Sequence, residues 1–437
     1  MPDVPGFQLI ALRGAFGGFR DDNFLIGWSV LAGSGAITVD YDDIATLSRG
    51  AGTSPTFAKT VPNNLLTNTW KYLIVRGKNI GTNTIQVAVI FTDASTSFAN
   101  ITSTVMGFYS IALAAGKQIA NIQLLPQVSA INQNLAAFDG FWITTQNYVD
   151  LSQYFFGDDD STYLGWQVGD AMIRLRDEID STGFGTFWGG NNNLTPGTDI
   201  IQLYTTVGTA EYVRIYAGQL VEKNKESHSG YRVTTLRVND WNNALRQTET
   251  YVSQVYGLPG GGATDKAIVE GLIGLINTGH VVPSISGWNI AYLDGTTVIG
   301  ASGITNAAFT WNQVDVNQAM QTLSDFVAFN TSNSPQKGND FYVSFSEAFS
   351  WFPIGLPASS GTVSDIPTAN DFVSLNLNHQ ITTLKTEVSV IGTIQIPPDG
   401  DAWTETQDVW TNEAVTQHNF QATGTAEAGG LDRTDSL

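Results

Sequence analysis

Short segments in which apolar and polar residues alternate are the feature of this sequence that most constrains its fold. In residues 200–247, apolar positions such as Val213 and Ile215 recur at every second residue, before and after a polar turn at 228–230. Because successive side chains of a strand point to opposite faces, this pattern predicts paired antiparallel strands with one buried face. Asp240 is expected to cap the short helix that follows, since its carboxylate can accept a backbone N–H.

Residues 1–150 show the same alternation and no helical period. The segment KYLIVRGKNIGTNTIQVAVIFTD (71–93) predicts a hairpin that turns at 81–83, and further short strands follow at SIALA, QIANIQLL and FDGFWITT. Many short strands without helices indicate a jelly roll or β-sandwich over 1–150. The pattern is similar to that of jelly-roll carbohydrate-binding modules, and it implies the same architecture.

An acidic stretch bounded by aromatic residues, YFFGDDDSTYLGW (154–166), follows this first domain. Clustered carboxylates are ligands for calcium, but three consecutive Asp residues need a turn to converge on one ion. We therefore interpret 151–166 as a solvated acidic linker.

Two amphipathic helices are predicted further along, in 263–279 and 315–330. The first starts at Thr264 or Asp265, and Asp315 is expected to cap the second. Each has apolar residues at helical spacing: Ile268, Leu272, Ile273 and Ile276 in the first, and Val316, Ala319, Met320, Leu323 and Val327 in the second. We expect these stripes to be buried.

The sequence contains no convincing catalytic signature. It has no cysteine, and its histidines, His228, His280, His379 and His418, are scattered. GLPGGGATDK (257–266) has the glycine spacing of a phosphate loop, but Ala263 replaces the required lysine. Glu211, Glu222 and Asp240 can approach one another on neighbouring strands, although charges on hairpins are normally just solvated. We therefore expect no enzyme, no cofactor and no metal, and assign no catalytic, cofactor-binding or metal-binding residue.

Aromatic residues of the first domain offer one candidate binding surface. Side chains stacked on a sheet could form a platform for sugar rings, but in a sandwich they belong more often to the core. The candidates are Trp70, Tyr72, Phe108, Tyr109 and Trp142.

The charge balance limits the classes of partner that the protein is expected to bind. The formal net charge is −20, with 42% hydrophobic and 14% charged residues. Binding to nucleic-acid phosphates requires basic surfaces, so specific DNA binding is not expected, whereas DNA can pass such a surface without adhering. The first residues do not resemble a secretory signal, and no apolar run approaches the length of a membrane span. We expect assembly in a cytoplasm and no membrane insertion.

The order of elements over 167–400 resembles the hub protein at the tail tip or baseplate of tailed viruses. The segments that carry the resemblance are YVRIYAGQLVE, YRVTTLRVNDWNNAL, KAIVEGLIGLI, FTWNQVDVNQAMQTLSDFVAF, DFYVSFS and TEVSVIGTIQI. The resemblance implies a mainly β fold with a few helices, in which the N-terminal sandwich is followed by two hub-type β-barrels and an intervening α/β insertion. The expected domains are 1–150, the linker 151–166, a first barrel 167–250, a connecting domain 251–339, a second barrel 340–420 and an extended arm 421–437.

The same resemblance implies a structural function: a hub subunit of the virion tail tip that ends the tail tube and forms part of the DNA conduit. The implied partners are two further copies in a homotrimer, tail tube and distal tail proteins, and tip, spike or fibre proteins, with a host surface glycan as a further partner. The alternative is a glycan-binding viral or cell-surface fibre protein that acts through its N-terminal jelly roll.

Overall fold

The computed structural model describes most of the first 350 residues and short segments after them. The described ranges are 7–21, 27–39, 44–61, 65–80, 84–127, 133–161, 169–178, 185–189, 192–206, 212–228, 231–250, 255–256, 263–278, 305–306, 309–311, 313–330, 339–353, 387–390 and 408–411. The chain divides into two compact units, Met1–Ser324 with Asn339–Phe352, and Asp325–Gly338 with Pro353–Leu437. In the second unit, β25 (Glu387–Val390) pairs with β26 (Asp408–Thr411).

The protein is mainly β, with antiparallel pairing throughout its large sheets. The first fourteen strands are β1 (Phe7–Leu12), β2 (Arg20–Asp21), β3 (Trp28–Ala32), β4 (Gly35–Val39), β5 (Ala45–Arg49), β6 (Thr56–Thr60), β7 (Tyr72–Asn79), β8 (Thr84–Phe91), β9 (Thr96–Ile101), β10 (Gly107–Ala112), β11 (Ile119–Gln127), β12 (Gln133–Thr144), β13 (Val149–Asp150) and β14 (Phe155–Ser161). A 3₁₀ turn, Ser152–Tyr154, joins the last two.

The remaining elements up to Pro353 mix strands with three helices. They are β15 (Asp170–Arg176), β16 (Ile200–Thr206), β17 (Tyr212–His228), β18 (Tyr231–Asp240), α1 (Asn243–Gln247), β19 (Val255–Tyr256), β20 (Ala263–Thr264), α2 (Asp265–Thr278), β21 (Thr305–Asn306), β22 (Phe309–Thr310), α3 (Val316–Asn330), β23 (Asn339–Val343) and β24 (Phe349–Pro353). Short pairs form between β19 and β22, β20 and β21, and β23 and β24.

Two sheets packed face to face form the expected N-terminal β-sandwich. One has six strands, in the order β10-β7-β12-β5-β4 with β2 beside β12, and the other has five, in the order β3-β6-β11-β8-β9. Alternating side chains of both sheets, such as Val75, Val87 and Leu124, fill the core between them. The sandwich predicted from the alternation is therefore present.

The predicted hairpin over 71–93 is wrong. Its two halves are β7 and β8, but β7 belongs to the six-stranded sheet and β8 to the five-stranded sheet. Leu73 and Val87 instead both belong to the core between the sheets. Alternation identified both strands correctly, but it does not specify which strand is the partner.

A seven-stranded sheet, in the order β13-β1-β16-β17-β18-β15-β14, forms the second large structure. Its two edge strands, β13 and β14, are consecutive in sequence, and the residues between them can span at most about 18 Å even when extended. The sheet therefore rolls until its edges approach one another, and its inner face encloses a core that includes Leu9, Leu203 and Leu236. The paired strands predicted in 200–240 are β16, β17 and β18 of this rolled sheet.

The N-terminal strand changes the organisation of the chain. Although β1 precedes the sandwich, it pairs along its whole length with β16, with Phe7 opposite Thr205 and Leu12 opposite Ile200. The sandwich is thus an insertion between β1 and β13 of the rolled sheet, and residues 1–150 do not form one sandwich domain alone. The six-part division of the chain otherwise stays a prediction, and most of 340–420 and all of 421–437 lie outside the described residues.

The acidic stretch also differs from its prediction. Residues Phe155–Ser161 form β14, which pairs with β15, where a solvated linker was expected. This segment runs as an edge strand and not as the turn that convergence on calcium would need. Edge strands tolerate charged residues better than central ones, so an acidic run does not preclude pairing.

The structure confirms both predicted long helices. The hydroxyl of Thr264 accepts the N–H of Ala267 at 3.2 Å, and the carboxylate of Asp315 accepts the N–H of Gln318 at 2.7 Å. The predicted stripes are buried, except that Val327 lies outside the residues with described side chains. They join a cluster with the outer faces of the rolled sheet and of the six-stranded sheet, which includes Ile10, Tyr204, Ile74 and Trp142.

Candidate functional site

The five aromatic residues proposed as a sugar platform do not share a surface. Tyr72, Phe108 and Trp142 lie on the outward face of the six-stranded sheet, which we call the covered face, and contact the cluster formed with the helices and the rolled sheet. Trp70 and Tyr109 instead pack against the interior of the sandwich. Trp142 is fully buried and stacks on Phe108, with ring centroids 6.1 Å apart. Trp142 is therefore a core residue, and the other four are partly buried residues that pack against the two cores.

A buried charge network holds the covered face against the rolled sheet. Asp139 of β12 accepts from Arg76 of β7 at 2.6 Å and from Arg214 of β17 at 2.7 Å. Arg76 also lies 4.0 Å from the ring centroid of Tyr204, on β16. The π-face of a tyrosine attracts a cation most strongly where water is excluded, so the ring offsets part of the second positive charge.

Burial and pairing act in opposite directions on the pKa of Asp139. Burial by itself raises it, but Arg214 and Arg76 outweigh burial and leave the pKa below its usual value. The carboxylate is therefore charged, and each arginine depends on it. Removing one partner of such a buried pair typically costs about 3–5 kcal/mol, because the other charge stays buried.

A turn between β23 and β24 completes this junction. The carbonyl of Phe345 accepts from Arg214 and from the indole of Trp241, both at 3.1 Å. Glu347, with a left-handed φ of 58°, pairs with the buried Arg20 through two bonds of 2.6 and 2.9 Å. The junction thus joins sandwich, rolled sheet and turn through buried polar contacts, which fixes their relative orientation.

Asp240 has a structural role that differs from the expected helix cap. It ends β18, and its carboxylate accepts the N–H groups of Gly169 and Asn242 at 2.9 and 3.1 Å. The residue before α1 is Asn242, whose side chain makes no capping bond but accepts the N–H of Val343 at 2.8 Å. Burial, only partly offset by these bonds, raises the pKa of Asp240 to about 6.

The candidate carboxylates do not form a facing pair. Glu222 is opposite Arg237 in the β17–β18 pairing, three residues before Asp240 on β18. Residues an odd number of positions apart on a strand point to opposite faces of the sheet, so Glu222 and Asp240 do not face one another. Glu211 lies outside the described residues.

Other chemical candidates fall mostly outside the described side chains. These include the four histidine side chains and residues 257–262 of the glycine-rich loop. Across the described ranges, no cluster of His, Cys, Asp and Glu is arranged to hold a metal ion. No helix in the same ranges is both long and apolar enough to cross a membrane.

The outward face of the five-stranded sheet, which we call the open face, contrasts with the covered face. Its central row follows the strand register: Phe98 of β9 is opposite Ala88 of β8, which is opposite Gln123 of β11, which is opposite Ala58 of β6. Gln86 and Asn100 form the neighbouring pair. None of the apolar clusters of the described residues includes a residue of this row.

The open face is uncharged. The outward positions of β6, β8, β9 and β11 alternate with core residues and contain only Thr, Ala, Gln, Asn, Ile, Leu and Phe. Lys59 is no exception, because it is opposite the core residue Ile122 and pairs with Asp21 on the inner side. Phe98 is 57% exposed. Phe98 was not singled out from the sequence. The segment TSFANI could have indicated it, because Phe98 lies between polar residues at every second position.

Comparisons with known proteins give structural similarity only. No family model matches this sequence, and no curated protein matches it. Among solved structures, a family 29 carbohydrate-binding module has a TM-score of 0.24 and 10% identity, covering 32% of this chain and 89% of its own. The CBM22-1–GH10 modules of Clostridium thermocellum endo-1,4-beta-D-xylanase 10B, complexed with xylohexaose, have a TM-score of 0.23 and 15% identity, covering 30% and 28%. PfGH50B has a TM-score of 0.24 and 10% identity, covering 30% and 24%. Values this low carry no functional conclusion.

Proposed function

We propose that this protein binds glycan through its sandwich and holds that sandwich rigidly on the rolled sheet. The observation that carries the proposal is the difference between the two sandwich faces. The covered face is closed by the rest of the chain, whereas the open face presents amides, hydroxyls and an exposed aromatic ring. Amides offer both donors and acceptors, which matches the hydroxyl groups of a saccharide.

The absence of charge on the open face supports this choice over a charged partner. The chain has a net charge of −20, but the described residues of the open face include no charged side chain. This face therefore neither repels a ligand electrostatically nor offers it a partner for an ion pair. Specificity must then come from shape, stacking and hydrogen bonds, which are the interactions available to a neutral sugar.

The test is binding of the full chain to an array of glycans and to immobilised polysaccharides. We expect retention of the folded protein by at least one glycan and competition by the same glycan in solution. Absence of binding to every glycan, with folding verified by circular dichroism, would refute the proposal.

A hub subunit of a virus tail tip is the second candidate. Its support is the order of elements: the rolled sheet with β16–β18, the short helix α1, the two long helices and then β23 follow one another as the hub resemblance implies. The buried junction suits a component that transmits force without internal movement. In this role the chain is a homotrimer in the virion, contacts tail tube, distal tail and spike or fibre proteins, lets DNA pass without specific binding and does not enter a membrane.

The hub candidate is tested by mass and shape. Light scattering coupled to gel filtration should give three times the mass of the chain, and negative-stain images should show rings with a central opening. A monomer at all concentrations would contradict the hub candidate and leave glycan binding intact.

A further inference from the structure

We propose that the row Phe98–Ala88–Gln123–Ala58 on the open face is the binding strip for an uncharged polysaccharide chain that crosses the strands. This inference rests on the proposed glycan binding and adds the site, the ligand class and the direction of the ligand.

The row forms a shallow trough in the surface of the sheet. Ala88 and Ala58 end in a methyl group beside the longer side chain of Gln123, so the sheet surface is low on both sides of it. Their own exposure is only 4% and 5%, which leaves Phe98 and Gln123 as the main contacting side chains. Phe98, on the edge strand β9, rises beside Ala88 and forms one end. Phe98 is separated from Ala58 by three strand spacings, about 14 Å, which is a length that several sugar rings can occupy.

The chemistry of the trough assigns its ligand. A pyranose ring has C–H groups on its faces and hydroxyls around its rim, so one face can stack on Phe98 while the rim reaches polar side chains. Gln123 lies at the centre of the row, and Gln86 and Asn100 lie together on one side. Each amide can donate and accept, so hydroxyls of either orientation are served.

The lack of charge defines the class. The described outward positions of these four strands contain no Arg or Lys to pair with carboxylate or sulfate groups and no Asp or Glu to pair with amino groups. An acidic polysaccharide would also be repelled by the net charge of −20. We therefore assign a neutral chain, and not uronic-acid, sulfated or cationic polymers.

Substitutions at Phe98 separate stacking from apolar contact. Binding of the full chain to laminarin, mannan and xylan is measured by affinity electrophoresis and calorimetry, with polygalacturonate, heparin and chitosan as charged counterparts. For the neutral polymer that binds, Phe98→Ala and Phe98→Leu should weaken affinity about tenfold or more, whereas Phe98→Tyr should retain it. Gln123→Ala should weaken it to a smaller extent. Tyr342→Ala removes another exposed aromatic, outside the sandwich, and should change nothing.

The outcomes distinguish the strip from the function. Unchanged affinity of Phe98→Ala and Gln123→Ala, with binding by the wild type, would place the site elsewhere and leave glycan binding standing. Binding of only charged polymers would overturn the ligand class. If the folded wild type binds none of these polymers but is retained by another glycan of the array, the strip is refuted and the proposed function stands; if it binds no glycan at all, both are refuted.

Discussion

The two sheets of the sandwich present opposite surfaces, although both alternate apolar and polar residues. The covered face contains Trp142, Phe108 and Arg76, and all three contact residues of the rolled sheet. The open face contains one exposed aromatic, Phe98, among amides and hydroxyls. Aromatic content alone would select the covered face as the binding surface. Packing selects the open face, because Trp142 and Arg76 are buried against the rest of the chain, whereas Phe98 is 57% exposed.

The largest expected effect comes from removing the strand that joins the covered face to the rolled sheet. Deleting residues 1–14 removes β1 from between β13 and β16 and takes Leu9 and Leu12 from two cores. We expect loss of cooperative unfolding in denaturant and rapid proteolysis. A truncated protein that unfolds like the full chain would show that β1 is dispensable, and with it the insertion of the sandwich into the sheet.

Asp139→Ala is the next test and acts on the covered face directly. It leaves Arg76 and Arg214 buried without their shared carboxylate, so the free energy of unfolding should fall by about 3–5 kcal/mol in urea titrations. Phe98→Ala provides the matched change on the open face. Its side chain is 57% exposed, and its stability should stay within about 0.5 kcal/mol of the wild type. Equal losses in the two variants would remove the distinction between the faces.

The sequence predicted elements better than their partners. The two long helices could be predicted because their signals are local: caps at Thr264 and Asp315, and apolar residues three and four apart. The hairpin over 71–93 failed because β7 and β8 each have the same period of two, and nothing local tells a turn within a sheet from a crossing between sheets.

The location of β1 and the candidate site depend on long-range pairing. Leu9 pairs with Leu203, although the whole sandwich lies between them in the sequence, and the period of a strand does not show such a pairing. Phe98 belongs to the candidate site because Ala88 and Gln123 lie in the same row on the next two strands. Both are 10 or more residues away from Phe98 in the sequence. Composition indicated aromatics in a sandwich, but register and burial decide which of them faces solvent.

Acid should stabilise the folded chain through two buried carboxyls, that of Asp21 on the inner side of the sandwich and that of Asp240 at the end of β18. Burial raises the pKa of both from the usual 3.8 of an aspartate to about 6. Because the folded state holds these protons more tightly, their stabilising contribution is complete below the unfolded pKa and is lost as pH rises through 6. The free energy of unfolding should therefore increase as pH falls from 7 to 5, by up to about 1.4 kcal/mol per pH unit for each group, and the melting temperature should rise with it.

Asp240→Asn separates this effect from the general relief of negative charge. The amide cannot ionise, so the variant should show a flatter pH profile than the wild type between pH 5 and 7. Glu222→Gln, at a half-exposed position on the same hairpin, is the control for the loss of one negative charge, and comparing the two variants isolates the contribution of Asp240. If the stability of the wild type decreased continuously as the pH was lowered from 7 to 5, the result would contradict the raised pKa values.

The smallest effect separates the buried and exposed sides of α2, the helix that helps to cover the six-stranded sheet. Among the described residues outside the helix's own backbone and the two chain neighbours, none has an atom within 4 Å of the position that a Cβ of Gly271 would occupy, whereas Leu272 is fully buried. Gly271→Ala should raise the free energy of unfolding by up to about 1 kcal/mol, because alanine loses less backbone entropy in a helix. Leu272→Ala should lower it by about 2–5 kcal/mol through the cavity that it leaves. Urea titrations of both variants provide the measurement, and a destabilised Gly271→Ala would mean that this side of the helix is also in contact.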